Sequence, residues 1–456
     1  MMLQGYPEIF VTAIDKLTTT GVARVKINGD RGEPFTILTG LGQGDPLSAP
    51  RFTTGTEPLS RALTSAIENK LYKLDNVTIP PSIYADDNML ALQLTNVGQL
   101  QEVLEIFEDF YKVSGLKLNL KKTEMLMINT PPQLVQDIKD NFDIQIVTEL
   151  TYLGTQITDS WTGSKQASLD RTKQKMTKTC DRIKNGWMTL FHKRTIVAQA
   201  LTPMINHIAM AFGTDEQFEA QYNKIIQVAL WDNKEGGGRK LVAIKRIGMS
   251  YEMGGLNIPP AHRQATSILC NMFQRYIVRT EAPPVLTQLI EQTLEKCDLS
   301  NLDGLLRAGG AITWQEGADK ITPINPSLGD MVLAYQEILE INEQNREGWE
   351  IAPIAGHTLS PGAHKITLEE GIILADYGIN TIAQIFKPDE HTTGRTCNEL
   401  ALLPADIHTY FPEIVQKLKK LQEKIVKKFR LARMQTVPFT MILNSVKPSK
   451  LYRQLF

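Results

Sequence analysis

Near residue 160 the hydrophobic period of the chain changes, and this limits the fold more than any other feature. Before it, short alternating runs are punctuated by Gly, Asn and Asp; after it, apolar residues recur at helical spacing over long stretches. A chain of 456 residues also exceeds what one hydrophobic core serves, so the break reads as a domain boundary. The expectation is an α/β (α+β) unit over residues 1–160, a helical unit over 161–280 and a mostly helical region over 281–456.

Within the first unit, "EIFVTAIDKLTTTG" reads as an amphipathic helix with Phe10, Ile14 and Leu17 on one face and Gly21 as its stop. Asn28-Gly29 marks a hairpin. Asp45-Pro46 opens a second helix, Asp as cap and Pro at the first helical position, with Pro58 kinking it further on. "PSIYADDNMLALQL" is a second hairpin, and "GQLQEVLEIFEDFYKVSG" an amphipathic helix closed by Gly115. "LKLNL", "EMLMIN" and "TELTYLGTQIT" complete the unit as strands.

Charge is unevenly spread. The formal net charge is -1, yet residues 161–200 hold nine basic groups against two acidic, and residues 411–456 hold eleven against two. Two basic blocks in a near-neutral chain suit a polyanion-binding surface. Cys180, Cys270, Cys297 and Cys397 are far apart, which disfavours a zinc site or a disulfide framework and fits a reducing compartment. No apolar run reaches the length of a membrane span, and the first residues lack a secretory leader pattern. The expectation is an intracellular protein, in cytoplasm or nucleus, with no membrane partner.

Asp86 and Asp87 stand next to each other between two apolar runs. Taken alone, "Asp-Asp-Asn" in that position is a turn former. The pair also has a chemical use. Two ionised carboxylates about 4 Å apart repel by roughly 4 kcal/mol at an effective dielectric near 20, so a proton or a cation settles between them. Hard oxygen donors of this kind select Mg²⁺, which completes its shell with water and substrate phosphate. In phosphoryl transfer, paired ions serve both the attacking and the leaving oxygen.

Four segments occur in order: "GLGQGDPLSAP" from Gly40, "IYADD" from Ile83, "GLKLNLKKT" from Gly115 and "TYLGTQI" from Thr151. Their order and spacing resemble the reverse transcriptases of non-LTR (LINE-type) retrotransposons. The later segments "VALWDNKEGGGRKLV" and "GGLNIPP" look like that family's thumb and post-thumb regions, and the tail resembles it more loosely. The resemblance implies a polymerase palm built on an antiparallel sheet with packed helices, then a helical thumb. It implies Asp86 as principal metal ligand and Asp87 as the second acidic residue, with Tyr84 and Ala85 beneath the primer end and the incoming nucleotide. Gln43 and Gly44 would approach nucleotide and template; Asn119 and Lys122 would lie near the triphosphate; Leu153 and Gly154 would grip the primer. Arg171, Lys173, Lys175, Lys178 and Arg182, on the basic helix over 169–184, would contact the nucleic acid backbone.

The implied partners are an RNA template, a DNA primer and deoxynucleoside triphosphates, with two Mg²⁺ ions as cofactor. Family members carry a further catalytic aspartate on a strand before the helix that "MMLQGYPEIFVTAIDKL" matches, and Asp15, inside that helix, does not replace it. The fingers, the endonuclease and the cysteine-histidine knuckle have no counterpart either, so an N-terminally truncated fragment is expected. The alternatives are a catalytically dead nucleic-acid-binding remnant and an organellar intron maturase, which shares the "YADD" box but not the "LWDN" and "GGLNIPP" segments. The basic helix over 413–434 has no role by motif or position.

Overall fold

The computed structural model describes residues 5–18, 21–36, 46–66, 79–184, 188–231, 242–278, 281–299, 302–344, 352–360, 362–388, 394–400, 405–429 and 433–435. The chain divides into two compact units, Met1–Tyr152 and Leu153–Phe456.

The first unit opens with α1 (Glu8–Thr18). None of its described side chains is buried; Phe10, on the apolar face, is 44% exposed and stacks on Tyr6. Four two-residue strands follow: β1 (Val22–Ala23), β2 (Lys26–Ile27), β3 (Asp30–Arg31) and β4 (Phe35–Thr36). β1 pairs β4 and β2 pairs β3, both antiparallel, one ribbon closed by Asn28 and Gly29 at φ 52 and 101. Positive φ at both central positions is the turn that Asn-Gly favours. The next helix, α2 (Ser48–Ala66), begins after Pro46 and Leu47 rather than at them and runs through Pro58; Gln43, Gly44 and Asp45 lie outside the described residues.

The "YADD" segment forms β5 (Ser82–Tyr84) and β6 (Asp87–Met89). α3 (Val97–Ser114) follows, capped by the Asn96 side chain and ended by Gly115 at φ 73. "LKLNL" is not a strand: it has no regular structure up to a single 3-10 turn at Leu120–Lys122. β5 and β6 pair antiparallel, but the next strand pair departs from the expected antiparallel sheet. β7 (Glu124–Leu126), α4 (Pro132–Asn141) and β8 (Gln145–Val147) form a β-α-β unit whose two strands are parallel. α4 has Pro132 at its first turn, where the missing amide costs nothing, and buries Leu134 and Ile138. β9 (Glu149–Tyr152) ends the unit. Two small cores hold it. Leu59 and Leu63 of α2 meet Val103 and Phe107 of α3; Leu100 of α3 meets Leu134, Ile138 and Ile144.

The second unit starts with β10 (Thr155–Thr158) and α5 (Trp161–Lys184). Small residues let this strand lie close against the helix. The Ser168 hydroxyl accepts from the Gln156 amide at 2.9 Å, the Ser164 hydroxyl accepts from the Thr158 amide at 2.9 Å, and a Cβ on Gly163 would meet Thr158 Oγ1 at 2.6 Å. Next come α6 (Leu190–Ile196), a π turn over Val197–Leu201, α7 (Met204–Phe212), α8 (Glu216–Trp231) and α9 (Ile244–Gly248). The sequence expectation of no membrane-length run is corrected here: Leu190–Phe212 is long and apolar enough to cross one by length and composition. In the fold, Val197, Leu201, Ile205, Ile208 and Phe212 of that run are buried with Met176, Tyr222 and Ile226 in a helical core.

Further on are α10 (Ala261–Phe273), α11 (Pro284–Lys296), α12 (Leu302–Ala308), α13 (Ala311–Ile321) and α14 (Pro326–Gln344). They share the largest core, centred on Phe273, Trp314 and Tyr335, whose rings pack together at 4.3 to 5.3 Å between centroids. α15 (Leu368–Asp376), β11 (Phe386–Pro388), β12 (Gly394–Leu400), α16 (Ala405–Tyr410), α17 (Pro412–Phe429) and β13 (Arg433–Gln435) complete the described chain. β11, β12 and β13 make an antiparallel sheet inside a region expected to be mostly helical.

Candidate active site

The site is built on the β5–β6 hairpin. Tyr84 pairs with Asp87, Ile83 with Asn88 and Ser82 with Met89, which leaves Ala85 and Asp86 as a two-residue turn. Ala85 has φ 54. A left-handed conformation costs a residue with a Cβ about 1–2 kcal/mol, and glycine would avoid it. The turn therefore keeps a strained non-glycine residue next to its carboxylates, a pattern found at functional sites. Asn88 Nδ2 donates to the Asp86 carbonyl at 3.3 Å, closing the turn from the β6 side.

Burial changes along the hairpin. Ile83 and Met89 are half-buried, and Leu90 and Leu92, just past β6, pack on the Leu59–Leu63–Phe107 core. Tyr84, Ala85, Asp86 and Asp87 are exposed. Tyr152 anchors the start of β5: its hydroxyl donates to the Ser82 carbonyl at 3.0 Å and lies 2.9 Å from the Ser82 hydroxyl. Sequence reading missed Tyr152; its one local signal is that it precedes Leu153-Gly154, which was singled out.

Neither Asp86 nor Asp87 receives a hydrogen bond or an ion pair on its carboxylate from any described residue. Their oxygens are thus available to a cation. Two hard donors at an exposed turn fit Mg²⁺, which binds through one or two carboxylates and keeps several waters. They do not make an all-protein cage: among the described residues no cluster of three or more His, Cys, Asp or Glu could hold a metal ion.

Asn119 and Lys122 share one turn. The Asn119 carbonyl accepts from the amides of Lys122 and Thr123, both at 3.0 Å, and from the Thr123 hydroxyl at 3.0 Å. Both side chains are exposed, and Lys122 makes no ion pair with a described residue. Leu118, directly before this turn, packs on the same cluster as Leu90 and Leu92, so the "YADD" hairpin and the Lys122 turn are rooted in one core. Leu153 and Gly154 have φ 48 and 87, a tight turn after β9 with Leu153 39% exposed.

The five basic residues singled out on α5 do not share a face. At 100° per residue, Arg171, Lys175, Lys178 and Arg182 fall within about 60° of one another, and they span about 16 Å along the axis. Lys173 falls on the other side of the buried face made by Leu169, Thr172, Met176, Cys180 and Ile183. Lys175, Lys178 and Arg182 are exposed, whereas Arg171 is half-buried and already has a partner.

The first unit thus carries an exposed carboxylate pair on a core-anchored hairpin and a lysine-bearing turn rooted in the same core, the residue types that metal-assisted phosphoryl transfer uses. Residues 5–157 match the family described as reverse transcriptase (RNA-dependent DNA polymerase). The chain is 29% identical over 185 residues to the retrovirus-related Pol polyprotein from type-1 retrotransposable element R2 of Bradysia coprophila, covering 38% of this chain and 21% of that one. It is 33% identical over 129 residues to the corresponding polyprotein from type-2 retrotransposable element R2DM of Drosophila melanogaster, covering 28% and 12%. The chain thus spans about a fifth or less of the length of these relatives. The matched segment is thus similar to the reverse transcriptase family and to Pol polyproteins of R2 retrotransposable elements.

Proposed function

We propose that the chain performs RNA-directed DNA synthesis as part of a non-LTR retrotransposon polyprotein, with Asp86 and Asp87 holding Mg²⁺ against the nucleotide. One observation carries the reading: a strained, core-anchored hairpin presents two unbonded carboxylates to solvent inside the segment that matches the reverse transcriptase family. Bound metal would supply charge stabilisation at the transferring phosphoryl group. The chain's own contributions are positional. On this reading Tyr84 and Ala85 would serve the primer end and the incoming nucleotide, Lys122 would offer a cation to the triphosphate, and Leu153 and Gly154 would grip the primer. Gln43 and Gly44 belong to the same reading.

The test is primer extension on an RNA template with Mg²⁺, comparing the chain with Asp86→Asn. Losing one ligand is expected to lower extension on the order of a thousandfold, about 4 kcal/mol of barrier. Extension that survives the substitution unchanged would sink the proposal.

A second reading, a binding remnant without turnover, draws on the cationic stripe of α5. Phosphate neutralisation along it makes affinity for an RNA–DNA hybrid fall with salt. Replacing Lys175 and Lys178 by Gln should lower the slope of log affinity against log salt by about 2, while Lys173→Gln should change it far less. Binding with that slope but no extension by the wild-type chain selects the remnant.

A further inference from the structure

Two aromatic rings on the helical unit are exposed to solvent. Phe191, in the first turn of α6, is 70% exposed, and Tyr251 is 47% exposed. Their centroids are 6.2 Å apart with planes 9° from parallel, a stacked pair of exposed rings. Met253 beside them is 60% exposed.

The loop that carries Tyr251 is a built structure. The Gly254 amide donates to the Tyr251 carbonyl at 2.9 Å, that of Gly255 to Ser250 at 2.9 Å, and that of Asn257 to Met249 at 2.9 Å. Gly254 has φ 76, and a Cβ on Gly255 would meet the Met249 carbonyl oxygen at 2.0 Å, so the loop closes only with glycine there. Arg194 ties it to α6: its Nε donates to the Leu256 carbonyl at 2.8 Å, and its guanidinium carbon lies 5.0 Å from the Tyr251 ring centroid. A loop fixed this firmly holds Tyr251 and Met253 outward, although apolar side chains gain by burial.

The surroundings are cationic. Residues 188–194 and 242–258 contain Lys193, Arg194, Lys245 and Arg246 against a single acid, Glu252; Lys193 is buried, while Lys245 and Arg246 are exposed. Parallel rings, a guanidinium already stacked on one of them, and exposed cations nearby are the parts from which single-stranded nucleic acid sites are made. We infer that Phe191 and Tyr251 form a stacking platform for the bases of a single-stranded nucleic acid, with Lys245 and Arg246 placed for its phosphates. This rests on the nucleic-acid reading above and adds a second contact surface to it.

The experiment measures binding of the full chain by fluorescence anisotropy to oligo(dT), to oligo(rU) and to an abasic strand of equal length. Base stacking predicts that at least one base-bearing strand binds at least about fivefold tighter than the abasic one. The Phe191→Ala/Tyr251→Ala double variant should lose most of that preference while keeping its affinity for the abasic strand and its salt slope, because no charge has changed. Tyr251→Phe should keep the preference. In the wild-type chain, a 5-bromouracil strand should photo-crosslink to Phe191 or Tyr251, which tests the site without a variant.

Equal affinity for base-bearing and abasic strands, no binding of either, or crosslinks confined to other segments would each overturn the inference. So would a double variant that changes self-association in sedimentation but not the preference, since the rings would then be a protein interface. A chain with the preference but no primer extension defeats the polymerase reading alone; one that extends primers without the preference defeats only the platform.

Discussion

The carboxylate hairpin and the aromatic cluster around Trp314 represent opposite ways of using a chain. In the first unit only eight described apolar residues are buried, spread over two small clusters, and its strands are two to four residues long. In the second, the Phe273–Trp314–Tyr335 cluster alone includes nineteen buried residues. The candidate chemistry lies on the thinly cored unit and the stability on the densely packed one. Sites that must admit a substrate keep their polar tips and turns in water, and this limits how much apolar surface the same residues can cover.

The strongest way to break this contrast is to remove one large side chain from each unit. Trp314 is 2% exposed, and Trp314→Ala should cost about 3–5 kcal/mol. Leu63 is fully buried, and Leu63→Ala should cost about 2–5 kcal/mol from a much smaller core. In guanidinium titrations followed by circular dichroism, Leu63→Ala should move or abolish an early transition and leave a later one in place, with Trp314→Ala doing the reverse. If both variants shift one common transition by the same amount, the two units are not independent in stability.

A smaller effect sharpens the contrast through pH. Glu343, at the end of α14, is buried; its carboxylate accepts from the Ala311 amide at 2.8 Å and the Thr358 amide at 2.8 Å, holding α13 and the 352–360 segment together. Burial still dominates and pushes its pKa up to about 7, with those amides and Thr358 opposing and Glu340 reinforcing the rise. His357 is buried beside it. Its Nδ1 accepts from the Leu359 amide at 3.1 Å, its Nε2 has no partner among the described residues, and burial, then Lys428, pushes its pKa down to about 3. Nδ1 lies 3.9 Å from the Glu343 carboxylate, but it is occupied as an acceptor, so the pair is not an ion pair in this arrangement.

The folded state holds the Glu343 proton more tightly than the unfolded chain does, so this group's contribution is lost as pH rises from 4.5 to about 7. His357 works in the opposite sense: the unfolded chain takes up its proton first, and stability is lost as pH falls from 6.5 towards 3. Between 4.5 and 6.5 the two slopes oppose each other, each worth about 1.4 kcal/mol per unit of pH. Urea midpoints should therefore change little across that window in the wild-type chain. Glu343→Gln should expose the histidine slope, with a midpoint falling steadily below pH 6.5. A variant as level as the wild type would show that His357 does not stay neutral in the folded state. The change should appear only in the transition assigned to the second unit.

Legibility in the sequence followed the same division between local and distant causes. The turn at Asn28-Gly29, the stop at Gly115 and the hairpin around Asp86 were readable because a few adjacent residues decide each of them. Most of α5 was readable as a basic helix, although it begins at Trp161, before the expected start at 169. The parallel pairing of β7 with β8 was not readable, since three-residue strands have too few positions to establish a period. The exposure of Phe10 was not readable, because an amphipathic pattern gives a face and says nothing of what covers it. At the candidate site, the carboxylates and Lys122 could be named from motifs. The bond from Tyr152 to Ser82 could not, because 70 residues separate the partners. The same limit hid the Phe191–Tyr251 pair, whose rings come from segments 60 residues apart in a helical region read chiefly for its charge.

The finest test uses helix caps, where the local loss is nearly the same in both units. Asn96 Oδ1 accepts from the Gln99 amide at 3.2 Å at the start of α3, and the Thr367 hydroxyl accepts from the Glu370 amide at 3.2 Å at the start of α15. Replacing either by Ala removes one acceptor from an N-terminus that has four unpaired amides, at about 1 kcal/mol. The consequences should differ. α3 contributes to both small cores of the first unit, so Asn96→Ala takes a larger fraction of that unit's stability. α15 is also held through Glu370, which accepts from Lys417 Nζ at 2.7 and 2.9 Å, and through Leu374 in the core that includes α17. Amide hydrogen exchange should therefore quicken across α2, α3 and the hairpin in Asn96→Ala, but only in the first turn of α15 in Thr367→Ala. Exchange that spreads equally far in both variants would mean that the first unit is no more thinly held than the second.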